Sequence, residues 1–171
     1  MLDNGDRIEF PTNRLDAMMQ TIEEMTGKVI IGSRFRYDIR KIYSMLVEEY
    51  GPQSVVTYYG DTSDDDRQDA IRKFQFEDAR FFVGNPQTAG MGLTLHAATN
   101  VIYYANDFNL ESRIQSEDRC HRIGQDNHVT YVDLITPGTV DEHIVRNLQQ
   151  KIKLSAQALG EETRKWLEVT P

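Results

Sequence analysis

Apolar positions along this chain switch repeatedly between a helical period and short continuous runs, and the switching predicts its architecture. "NRLDAMMQTIEEM" sets Leu15, Met18, Met19 and Ile22 at helical spacing, with Asn13 placed to cap. "KVIIG", Lys28 to Gly32, is an apolar run stopped by glycine, the pattern of a buried strand. "YDIRKIYSMLVEEYG" returns to the helical period: Ile39, Ile42, Leu46 and Tyr50 share a face, and Gly51 stands at the expected stop. "SVVTYYG" predicts a strand. "SDDDRQDAIRKFQ" predicts a helix opened by Ser63, with acids in its first turn where the helix dipole favours them. "ARFFVGN", "NVIYYAN" and "HVTYVDLI" read as strands, and "NLESRIQSEDRCHR" as a helix. "TVDEHIVRNLQQKIKLSAQAL" is a long closing helix with Ile144, Leu148 and Ile152 stacked.

Strands that alternate with helices and are themselves apolar predict an α/β fold, a mostly parallel sheet covered on both faces. Ligands of such sheets bind beyond the carboxyl ends of the strands, where the loops emerge. A chain of 171 residues holds one such core. The expected division is a leader and helix over 1–27, an α/β domain over 28–159, and a tail over 160–171.

With 39% hydrophobic and 27% charged residues the composition is that of a globular protein. No apolar run is long enough to span a bilayer and no signal pattern opens the chain, so a cytoplasmic location is expected, with no membrane partner. The single cysteine excludes a disulfide within the chain and a thiolate metal cage, and no metal site is expected. Cys120 and His121 are adjacent, and adjacent helical residues point about 100° apart, which argues against a nucleophile–base pair and for burial of Cys120. The net charge of −8 argues against strong unaided binding to nucleic acid, although a local basic groove remains compatible with it.

Two segments carry chemistry. "PQTAGMGLTLHAATN" follows a predicted strand, and its Gly90-Met91-Gly92 lets backbone amides approach an anion closely; a plain glycine turn explains the same residues. "QSEDRCHRIGQ" sets Arg119 and Arg122 three apart, so on a helix both guanidiniums reach one target. That target is either an acid of the same segment (Glu111, Glu117 or Asp118) or a phosphate, whose oxygens the planar guanidinium matches.

"GDTSDDDRQDAIRKFQ", "TAGMGLTLHAATNVIYYANDFNLESRIQSEDRCHRIGQ" and "VDLITPGTVDEHI" together resemble the C-terminal lobe of superfamily-two helicases. The branch resembled is that of the Swi/Snf-type translocases and their phage and bacterial relatives. The resemblance runs from about Lys28 to Ser155 and rests on three ordered motifs. It implies a RecA-like three-layer sandwich that faces a second, N-terminal RecA-like lobe across an ATP site. That first lobe holds ATP and Mg²⁺. This sequence has neither a phosphate loop nor an acidic box: "TGKV" lacks the first glycine and the hydroxyl, and "VDEH" opens the closing helix. The chain therefore reads as the second lobe, inactive as an ATPase by itself. The first lobe would lie elsewhere in a longer polypeptide or in a separate chain.

Carried over by motif, Arg122 is the arginine finger on the γ-phosphate, with Arg119 beside it. Gln115 sets nucleotide-facing hydrogen bonds, and Gly92 and Gly90 bring backbone to the nucleotide edge. Thr88 contacts a nucleic-acid phosphate. "GSRFRYD" matches the fourth motif and makes Ser33, Arg34 and Arg36 candidates for nucleic-acid backbone contact, with solvated charge at a strand end as the competing reading. Arg67 matches a recurring arginine, and a salt bridge to Asp64 or Asp65 explains it equally. DNA is the expected track, RNA the alternative. The chain departs from the family at "ANDFNL", which lacks the usual acid, tryptophan and prolines, and at Thr94; Phe108 is left to fill the aromatic role. The remodellers' large insertions are absent between the predicted elements, which favours a compact phage or bacterial type. A non-catalytic lobe that docks on another ATPase or on DNA is the alternative function.

Overall fold

The computed structural model describes residues 13–60, 63–85, 95–106, 109, 111–114 and 128–159. Five strands, β1 (Lys28–Gly32), β2 (Val55–Tyr58), β3 (Phe81–Gly84), β4 (Ala98–Tyr103) and β5 (Thr130–Asp133), form one sheet in the order β2-β3-β1-β4-β5. Every pairing is parallel. Helices α1 (Arg14–Glu23), α2 (Arg36–Tyr50), α3 (Asp64–Phe76) and α4 (Val140–Leu159) accompany it.

Alternation along the strands divides the core between the two faces of the sheet. Val29 and Ile31 of β1, Phe81 and Val83 of β3, and Ile102 of β4 pack with Met18 and Ile22 of α1 and with Ile39, Ile42 and Leu46 of α2. Phe82, Val101, Tyr103, Val56 and Tyr58 face the other way, onto Ala70 and Phe74 of α3. The apolar runs are thus strands covered on both sides, as parallel sheets require. β5, at one edge, is the exception: its residues are half-buried to exposed, whereas β2 at the other edge is mostly buried.

The ends of the helices follow from their sequences. Ser63 accepts a hydrogen bond from the amide of Asp66, and Asp64, Asp65 and Asp66 fill the first turn of α3. Gly51 stops α2 at φ 85°, a left-handed conformation that glycine adopts without a Cβ clash. Asn13 behaves otherwise than expected: its side chain makes no capping bond, and its carbonyl begins α1 by accepting from the amide of Ala17. At the end of β3, a Cβ on Gly84 would stand 2.6 Å from the carbonyl oxygen of Tyr58, so the close approach of β2 and β3 demands glycine there. Between β1 and β4 the register shifts at Lys28/Val29, where β4 fits an extra residue.

Candidate functional site

Because all five strands run the same way, the loops after Gly32, Tyr58, Gly84, Tyr103 and Asp133 leave from one edge of the sheet. The loops after β1 and β3 meet there. The amide of Ser33 donates to the carbonyl of Gly84 at 3.0 Å, and Asn85 Nδ2 donates to the carbonyl of Arg34 at 3.2 Å. Order β3-β1-β4 also puts the ends of β3 and β4, from which the two motif-bearing segments depart, on either side of β1. Open α/β sheets bind their ligands at this end, outside the carboxyl ends of the strands.

Of the sequence-chosen residues, Arg34 and Arg36 lie exposed at this edge. Ser33 has no exposed surface, and its hydroxyl donates to Asp38 Oδ2 at 3.1 Å. Its position is that of a buried tie between the strand end and α2. Arg36 reaches toward the loop after β2, with Nη2 3.2 Å from where a Cβ on Gly60 would stand. Arg67 pairs with Asp64 at 3.2 Å and donates to the carbonyl of Gly60 at 3.2 Å, which is the salt-bridge reading of that residue. Thr88, Gly90, Gly92, Gln115, Arg119 and Arg122 lie outside the described residues, as do Phe108, Cys120 and His121. Among the described residues no group of three or more His, Cys, Asp or Glu could hold a metal ion.

Two charged networks were not singled out from the sequence. In one, Arg14 on α1 donates to Tyr104 O at 3.1 Å, to Thr136 Oγ1 at 2.6 Å and to the carboxylate of Asp141. The amide of Thr136 donates to the same carboxylate at 3.2 Å. This cluster ties the first helix to the start of the last, across the ends of β4 and β5. The charge of Arg14 is also felt by Asp38, whose carboxyl burial pushes above the ordinary range, against the Ser33 hydrogen bond and the Arg14 charge that pull it down. The Tyr104 hydroxyl is pushed up to about 12, by burial first and the charge of Asp38 second.

The raised Asp38 has a sign that can be tested. Its folded-state pKa exceeds the unfolded value of about 3.9, so it contributes stability in acid that is lost as pH rises through the raised value. Asp38→Asn carries no such loss. The variant is expected to gain stability on the wild type between about pH 4 and neutrality, read as denaturation midpoints at both ends. A difference that stays constant over that range would assign Asp38 no linkage.

The second network centres on Arg113, the one charged residue that is buried among those described, at 7% exposure. It pairs with Asp133 through both oxygens, at 2.5 and 3.1 Å, and donates to Asn106 Oδ1 at 3.0 Å. Asn106 Nδ2 donates to Asp133 Oδ1 at 2.6 Å. The guanidinium carbon sits 3.5 Å from the centre of the Tyr103 ring. Nothing periodic marks this pair, since its members are 20 residues apart on different elements. An acid at the carboxyl end of the last strand was the available signal.

Comparison with known proteins agrees with this architecture. The family described as "Helicase conserved C-terminal domain" matches residues 13–124. A Caenorhabditis elegans SWI/SNF-related matrix-associated actin-dependent regulator of chromatin, subfamily A containing DEAD/H box 1 homolog, is 33% identical over 147 residues, which cover 84% of this chain and 14% of that protein. A Xenopus laevis SWI/SNF-related regulator, subfamily A-like protein 1, is 40% identical over 116 residues, or 66% of this chain and 12% of that protein. The chain therefore spans a small part of the curated relatives it matches. Among solved structures, the C-terminal part of the Fun30 ATPase domain superposes with TM-score 0.70 at 29% identity, covering 79% of this chain and 45% of that one. The C-terminal domain of the DEAD-box protein Dbp5 superposes with TM-score 0.69 at 17% identity, covering 81% of this chain and 78% of that one, a likeness of fold alone.

Proposed function

The chain belongs to the helicase conserved C-terminal domain family, on its Swi/Snf branch, with the RecA-like α/β fold of such lobes; from this premise we propose that it is the second motor lobe of an ATP-dependent DNA helicase or translocase. The observation that carries the reading is the shared carboxyl edge. There the loop bearing Arg34 is bonded to the loop that leads into the Gly90–Gly92 segment, and β4 beside them leads into the Arg119–Arg122 segment.

ATP would be the substrate, held on a first RecA-like lobe of the same polypeptide or of another chain, where Mg²⁺ would supply charge neutralisation of its phosphates. This chain supplies the opposite wall. Arg122 places a fixed cation against the γ-phosphoryl oxygens, where charge spreads in the transition state, and Arg119 lies beside it. Gln115 hydrogen-bonds toward the nucleotide, and the backbone at Gly92 and Gly90 approaches it. Thr88, Arg34 and Arg36 meet phosphates of the track, with Ser33 holding the loop that carries the two arginines. Closure of the lobes on ATP and reopening after hydrolysis would shift one contact along the strand relative to the other. The 26 residues from 104 to 129 between β4 and β5 leave little room for a large insertion there, which favours a compact lobe; a phage or bacterial kind, working in the cytoplasm, belongs to the same proposal.

Joined to a phosphate-loop lobe of a Swi/Snf-type relative, the chain is expected to hydrolyse ATP faster when DNA is added. An absence of stimulation alongside intact DNA binding would leave it a docking lobe. Arg36→Ala in the joined protein is expected to weaken binding to DNA of every sequence alike and to reduce the salt slope by about one, measured by titration across salt concentrations. An unchanged slope would remove Arg36 from the track.

A further inference from the structure

We propose that Arg113, clamped by Asp133 and Asn106, is a positioning residue that sets where the nucleotide-facing arginines stand. This rests on the assignment of Arg122 as the finger. Asn109 begins the turn at 111–114: its side chain accepts from the amide of Ser112 and its carbonyl from the amide of Arg113, both at 3.2 Å. Arg113 then reaches from that turn to the ends of two strands. It takes both oxygens of Asp133 after β4 has already contributed Tyr103 beneath the guanidinium and Asn106 beside it. Its sequence distance to the proposed site is short: two residues to Gln115, six to Arg119 and nine to Arg122.

The chemistry of the clamp fits positioning better than it fits stability. Burying a guanidinium and a carboxylate costs solvation that their attraction roughly offsets, so an apolar contact would hold a helical turn to a sheet equally well. What two parallel hydrogen bonds add is a fixed direction, because they set rotation as well as distance. The stacked Tyr103 ring holds the plane of the guanidinium, and Asn106 bonds to both partners, so no member can turn alone. A displacement of about 1 Å in a catalytic group costs on the order of 10²-fold in rate.

The test uses the chain joined to its phosphate-loop lobe and compares kcat and KM for ATP. Arg113→Lys keeps the charge and loses the fork; it is expected to lower kcat by about 10²-fold with KM within a factor of about two, since ATP binds chiefly to the other lobe. Asp133→Asn should move the same way, and carries the test if the lysine variant does not fold. Variants that melt at lower temperature, yet keep wild-type kcat once folded, would overturn the proposal, as would equal effects on kcat and KM. Arg122→Ala measured in parallel separates the two readings. If it abolishes turnover while Arg113→Lys does nothing, the anchor alone is wrong; if it does nothing, the finger assignment fails and the anchor with it.

Discussion

Arg122→Ala, in the chain joined to a phosphate-loop lobe, is expected to lower kcat for ATP by about 10³–10⁵ while the fold and DNA binding persist. The size follows from what a finger does. Phosphoryl transfer needs little covalent help from protein; it needs positive charge placed where the equatorial oxygens carry their negative charge. A guanidinium supplies that charge at every relevant pH and offers a planar pair of donors. Arg122→Lys should recover little, because an ammonium is a point charge on a flexible stem. Arg119→Ala should cost less than Arg122→Ala if Arg119 is the flanking cation. The alternative for both is a salt bridge to Glu111, Glu117 or Asp118, whose loss would be worth less than about 1 kcal/mol and would leave kcat alone. A fall in kcat of under tenfold for Arg122→Ala, with ATP still bound, would return the pair to that reading.

Phe82→Ala is expected to destabilise the chain by about 3–5 kcal/mol. Phe82 is 1% exposed, in a strand flanked on both sides, with Tyr58 stacked at 5.7 Å and Phe74 tilted at 5.3 Å between ring centroids. Truncation removes the link between β3, β2 and α3 at once, and a rigid sheet cannot collapse to fill the void. Domains of this size are stable by about 5–15 kcal/mol, so the loss is a large share of the whole. A midpoint lowered by roughly 10 °C in thermal unfolding would agree, at about 2–4 °C per kcal/mol. A loss below about 1 kcal/mol would mean that the core on the α3 side is not packed as described.

Much of this fold is legible in the amino-acid pattern. "KVIIG" predicts β1 with the bounds it has, and Ile39, Ile42 and Leu46 are the buried stripe of α2. Ile144, Leu148 and Ile152 are buried along α4. Those features are local: a run of apolar residues between breakers, or a stripe at one period. Strand order is not local, and nothing in the alternation says that β3 inserts between β2 and β1. The register shift at Lys28/Val29 is equally silent, since it depends on how two strands meet. Asn13 shows the limit of single-residue rules, because a cap needs a backbone angle as well as the right side chain.

The site divides in the same way. Motif order brought the edge of the sheet into view, and Arg34 and Arg36 stand there exposed. Arg113 escaped because a lone arginine among polar residues reads as a solvated face, while its burial depends on Asp133 arriving from another strand. Ser33 was legible as part of a motif but not as a buried tie to Asp38.

The proposed function divides the labour: this chain would supply the wall and the cations of an ATP site whose phosphate loop lies on another lobe. Steady-state ATP turnover, measured with and without DNA for the isolated chain and for the chain joined to a phosphate-loop lobe, tests this most directly. The expected result is no turnover above background for the isolated chain and DNA-stimulated turnover for the joined one. Robust turnover by the isolated chain, or a joined protein that binds ATP and DNA yet stays idle, would contradict it.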